Sequence, residues 1–116
     1  MIKEDSNKRL ESSGIFKYHD TGFEVQVDGY PRKCEWSDIT KIIAYKIDRI
    51  TIDDIVVEVH FADADGFRFS EETDGFYQFV KRSKGALPEI LSDWEIKIVN
   101  PPFQRSEMVL FERISG

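Results

Sequence analysis

FKYHDTGFEVQVDGYPRKCEW, residues 16–36, decides how this chain is read. Apolar residues fall at every second place: Phe16 and Tyr18 flank Lys17, and Phe23, Val25 and Val27 enclose Glu24 and Gln26. A period of two sends alternate side chains to opposite faces, so each run predicts a strand with one buried face. Thr21-Gly22 separates the runs as a two-residue hairpin turn, with Gly22 supplying a positive φ. That turn sets Tyr18 opposite Val25 and Phe16 opposite Val27. Asp28-Gly29 marks a second turn. A third strand then runs from Arg32 to Trp36, with Cys34 and Trp36 facing in.

The same logic extends downstream. Ser37-Asp38 caps one helical turn. TKIIAYKID, residues 40–48, is rich in β-branched and aromatic residues and reads as a central strand. From Asp53 to Phe61 the period is two again, with Ile55, Val57, Val59 and Phe61 inward and Val56, Glu58 and His60 outward. Gly66 closes the next turn, and Phe67 and Phe69 continue the inward set. Six short strands therefore precede residue 72, in a mostly antiparallel meander.

The pattern then changes to a helical one. Asp74 is a good N-cap, and Phe76, Phe79, Val80 and Leu87 fall on one helical face. Lys81, Arg82 and Lys84 occupy the last turn, where the helix dipole favours cations. Gly85 and Pro88 stop the helix. Ser92 and Glu95 are spaced as a capping box for a second helix through Val99. Trp94, Ile96 and Ile98 also alternate as a strand would, so both readings stay open. Asn100-Pro101-Pro102 breaks the chain, and Met108 to Arg113 reads as a last strand. The expected architecture is α+β. A polar leader covers residues 1–13. One domain over 14–116 then holds an antiparallel, strongly bent sheet or partial barrel of six to seven strands, with one main helix packed on it.

Bulk composition narrows the function classes. A chain of 116 residues supports one core, and an aromatic content of 13% argues against disorder. The single Cys34 cannot form an internal disulfide. No apolar run reaches the roughly 20 residues of a membrane helix. The first residues carry no apolar signal region, so the expected location is cytoplasmic. A net charge of −6 disfavours nucleic acid and anionic membranes, which both need a positive field.

Charge is concentrated in one place. Residues 48–74 hold nine acids against Arg49 and Arg68, a net −7. Within them, Asp53, Asp54, Glu71, Glu72 and Asp74 are the expected polar contact face for a partner. Paired carboxylates also serve glycosidase-like chemistry, but only at a set separation within a cleft. Asp63-Ala64-Asp65-Gly66 resembles the start of a calcium loop, yet its fifth and sixth positions are Phe67 and Arg68, which the geometry of that loop rejects. His19 and His60 fall on outward strand positions without a metal-ligand spacing. Cys34 shares its phase with Trp36 and reads as core. Trp36, Trp94 and Phe103 are candidates to line an aromatic pocket. No cofactor or metal is expected.

The segment FKYHDTGFEVQVDGYPRKCEWSDI, residues 16–39, resembles the opening of small bacterial PH-like and GRAM-like domains. Those show an aromatic strand, a DTGF-type hairpin and a tryptophan followed by SDI. Together with AYKID from Ala44, EETDGF from Glu71, Asp93-Trp94 and NPPF from Asn100, the chain resembles an uncharacterised bacterial small-domain family over residues 16–113. The PH-like resemblance implies a barrel plugged by a C-terminal helix, whereas this chain adds a second helix and a strand. The basic loop with which many PH domains hold phosphoinositides is replaced by the short, acidic Asp20-Thr21-Gly22.

These readings converge on a non-enzymatic domain that binds another protein, with a basic one suited to the acidic face. A bacterial immunity protein occluding a basic toxin is the first alternative. A small-ligand binder or enzyme with an aromatic pocket is the second. The last strand, through Val109 and Phe111, could pair in a homodimer if it forms an exposed edge.

Overall fold

The computed structural model describes residues 14–48, 53–62, 65–99 and 106–113. The expected leader, the chain break at Asn100-Pro101-Pro102 and the pocket candidate Phe103 lie outside the described residues.

Among the described residues, seven antiparallel strands form two sheets. The first contains β1 (Phe16–His19), β2 (Gly22–Val27) and β3 (Tyr30–Glu35), in that order. The second contains β4 (Ile39–Asp48), β5 (Asp53–Phe61), β6 (Phe67–Ser70) and β7 (Ser106–Glu112), ordered β6-β5-β4-β7. Among the described residues, two helices fall between β6 and β7: α1 (Phe76–Ala86) and the short α2 (Trp94–Ile98). The α+β class and the main helix agree with the sequence. The single bent sheet or partial barrel does not. A 3-10 turn at Trp36–Asp38 separates β3 from β4, and β4 takes β5 and β7 as its neighbours. Neither sheet closes on itself.

The first hairpin keeps its faces but shifts its register. Phe16 pairs with Val25 and Tyr18 with Phe23. A slip of two residues preserves which side chains point inward. The loop is Asp20-Thr21, and Gly22 is the first residue of β2, paired with both His19 and Glu35. Gly22 is needed there for approach rather than for a turn: a Cβ would lie 2.0 Å from the Cys34 carbonyl oxygen. The Asp28-Gly29 turn is as expected, with φ of 52° and 84°, the two positive values a type I′ hairpin requires.

One aromatic core joins the two sheets. Phe16 of β1 lies 5.1 Å from Phe69 of β6 between ring centroids. Phe79 of α1 stands 4.9 Å from Phe16, 5.5 Å from Phe23 and 5.0 Å from Phe69. The Arg32 guanidinium of β3 sits 4.6 Å over the Phe61 ring of β5. In β7 a bulge opposite Ile42 and Ile43 leaves Leu110 without a ladder partner, and Leu110 and Phe111 are both buried.

Helix ends depart from the sequence reading. Gly75, in the left-handed conformation, occupies the N-cap of α1 in place of Asp74. The helix runs through Gly85 and stops at Leu87, next to Pro88, which disfavours helical backbone in the residue before it. The ambiguous stretch around Trp94 is helical. Trp94 and Ile98, four apart, are both buried, while Ile96 is exposed. The capping box does not form, because Asp93 is the N-cap and the Glu95 carboxylate instead pairs with Lys84 at 2.7 Å.

Candidate functional site

In an antiparallel sheet directly opposed residues share a face. The outward face of the four-stranded sheet can therefore be read from the register. Val109, Ile43, Glu58 and Arg68 form one row across β7, β4, β5 and β6. Glu107, Tyr45, Val56 and Ser70 form the next. Lys41 and His60 form the outer edge of the same face. Three shallow grooves run across it, with volumes of about 310, 290 and 340 Å³, and all three are lined by members of these rows.

The face is mixed in character. Val109 is 51% exposed, and Ile43, Tyr45 and Ile47 are half-buried. Among them the Glu58 carboxylate accepts from His60 Nε2 at 3.2 Å, and Lys41 pairs with Glu112 at 3.6 Å. Burial, followed by hydrogen bonding to the Glu58 carboxylate, pushes the Tyr45 phenol above its ordinary pKa, against the pull of Arg68. Tyr45, Glu58 and Arg68 thus form a polar centre between apolar neighbours.

The five acids expected to make one contact face divide into two groups. Asp54 is 1% exposed. Asp53 retains 16% side-chain exposure and its Oδ2 lies 3.7 Å from Lys46 Nζ. Asp54 therefore does not belong to an exposed contact face as expected, and Asp53 offers little of its side chain to one. Alternation alone does not describe this end of β5, where Asp54, Ile55, Val56 and Val57 are all buried. Glu72 and Asp74 are exposed and Glu71 is half-buried, in the turn that leaves β6 for α1. This acidic turn follows directly on Ser70, at the end of the outward face.

The sequence reading missed Lys46. Its side chain is fully buried, and its ammonium donates to the Val99 carbonyl at 3.1 Å. Its cross-strand partner Ser106 donates to the Ile98 carbonyl at 2.8 Å. Helix termini leave carbonyls unpaired, and a cation there also meets the negative end of the dipole. A cross-strand Lys/Ser pair thus caps α2 and fixes it to the sheet. The signal was present in the sequence: Lys46 is in phase with the inward residues Ile42 and Ala44.

The two described candidates for the aromatic pocket, Trp36 and Trp94, do not line a common groove. Trp94 is 1% exposed and belongs to the core. Trp36 instead lines a separate groove of about 560 Å³ between the β1–β2 hairpin and α1, together with Tyr18, His19, Lys81 and Arg82.

Chemical groups elsewhere are modest. Cys34 is buried at 4% exposure, and burial raises its thiol pKa. The thiol is consequently a poor nucleophile near neutral pH. Among the described residues no three His, Cys, Asp or Glu side chains are grouped to hold a metal. Also among them, no helix is long and apolar enough to cross a membrane. Comparison with protein-family models, curated proteins and solved structures finds no match.

Proposed function

We propose that this chain is a non-enzymatic interaction domain that binds a basic protein, using the outward face of the four-stranded sheet bordered by the acidic turn Glu71–Asp74. The observation that carries the reading is the adjacency of the two. A sheet face with Ile43, Tyr45 and exposed Val109 ends at Ser70, where Glu71, Glu72 and Asp74 begin. Apolar area supplies affinity and the flanking charge supplies on-rate and choice of partner. Two copies of a chain with net charge −6 repel one another, which favours a basic partner over self-association. A basic toxin neutralised by this face would be one such partner.

The test compares tagged wild type with Ile43→Arg/Val109→Arg in capture from the native host's lysate, followed by affinity measurement on the purified partner. The expected result is a basic protein held by wild type and lost by the double variant, while the unfolding midpoints of the two stay close. Equal affinity of both would overturn the proposal. A concentration-dependent dimer seen by sedimentation for wild type alone would assign the face to a second copy instead.

A further inference from the structure

We propose that the groove between the β1–β2 hairpin and α1 is a binding site for a small aromatic phosphate, with its ring against Trp36 and its anionic group between Lys81 and Arg82. At about 560 Å³ the groove falls within the usual size range of small-ligand sites.

Three observations carry this. The first is charge. Lys81 and Arg82 both line the groove, and neither makes an ion pair with any carboxylate among the described residues. Asp20 is the one acid on the wall, and His19 lies beside it. A positive groove on a chain of net charge −6 runs against the protein's overall field.

The second is an orphaned donor. Tyr18 lines the groove, and its hydroxyl is closed off from water with no hydrogen-bond partner among the described residues. Most buried hydroxyls find a partner, and a group that binds nearby is one way to supply it. Burial pushes this phenol well above its ordinary pKa, so the hydroxyl keeps its proton and remains a donor. The Arg82 guanidinium lies 4.8 Å from the centre of the same ring. A turn of the Tyr18 side chain toward a phosphate oxygen beside Arg82 would give the hydroxyl its acceptor.

The third is the ring wall. Trp36 is half-buried, held from behind by Phe23 at 4.8 Å and Phe79 at 5.7 Å. An indole fixed in this way presents a preformed flat surface to a ligand ring. This site lies apart from the sheet face, so its test stands independently of the protein-contact reading.

The experiment is a titration of the protein with phenyl phosphate, inorganic phosphate, benzoate and phenol, followed by amide shifts and the Trp36 indole signal. Phenyl phosphate is expected to give saturable shifts confined to Tyr18–Thr21, Trp36 and α1, with inorganic phosphate and phenol each at least about tenfold weaker. Lys81→Gln/Arg82→Gln, changed at two exposed side chains, is expected to keep the native spectrum and lose at least about tenfold in affinity. Tyr18→Phe is expected to weaken binding by about threefold or more while leaving the protein no less stable, because it removes an unpaired donor. Shifts scattered over the surface, unchanged binding in the double variant, or benzoate bound as tightly as phenyl phosphate would each overturn the proposal.

Discussion

At the scale of single residues, burial separates side chains that look alike in the sequence. Asp54 and Glu72 belong to one acidic stretch, yet Asp54 is 1% exposed and Glu72 is open to solvent. Asp54→Ala should lower stability by about 2–4 kcal/mol, since it leaves a buried polar environment without its charge. Glu72→Ala should change stability by less than about 0.5 kcal/mol. Lys46→Met should cost about 2–4 kcal/mol, because the Val99 carbonyl and Asp53 each lose a charged partner. Urea unfolding midpoints measure all three, and equal midpoints for Asp54→Ala and Glu72→Ala would show that the acids are equivalent after all. Protonation gives a second residue-scale test. The pKa values of Cys34, Tyr18 and Tyr45 are all raised by burial from ordinary values of 9.0, 10.0 and 10.0. In the unfolded chain these groups lose protons first, so above that range the unfolded state binds fewer protons than the native state. Stability is then complete below about pH 9 and falls as pH rises further. Denaturant midpoints from pH 7 to 11 should show this decline, and Tyr18→Phe should make it shallower.

At the scale of elements, α1 contributes through a single residue more than through its caps. Phe79 contacts rings from β1, β2 and β6 together, so Phe79→Ala should cost about 3–5 kcal/mol. Gly85 lies inside α1, and an added methyl group meets nothing within 4 Å. Gly85→Ala should therefore stabilise by about 0.5–1 kcal/mol through helix propensity, as thermal unfolding would show. A loss of stability there would mean that Gly85 ends the helix, as its sequence position suggested. Strands were the more legible elements. Phe16 to Val27 and Ile55 to Phe61 announce themselves by period two, and Asp28-Gly29 by its turn chemistry. Helix boundaries were less legible, because Asp74, Ser92 and Gly85 carry capping preferences that the local backbone does not use. The first hairpin slipped for a related reason: Gly22 was read as a turn residue, whereas the close approach of the Cys34 carbonyl demands it.

At the scale of the whole molecule, the strand sequence alone did not reveal where one sheet stops. Ser37-Asp38 reads as a brief helical turn, and only the pairing of β4 with β5 and β7 shows that this turn divides the strands into sheets of three and four. The candidate surface was half legible for the same reason. Glu71, Glu72 and Asp74 stand in sequence, whereas the rows through Val109, Ile43 and Tyr45 exist only after β7 returns across more than fifty residues to pair with β4. The groove likewise assembles His19, Trp36 and Arg82 from three separate segments. The sheet face bordered by the acidic turn is proposed to bind a basic protein. The most direct test of this proposal is the affinity of the captured partner for wild type and for Glu72→Lys/Asp74→Lys, measured at low and at high salt. Binding should weaken steeply with salt for wild type and drop at least about tenfold on charge reversal at low salt. Salt-independent binding of equal strength by both proteins would contradict it.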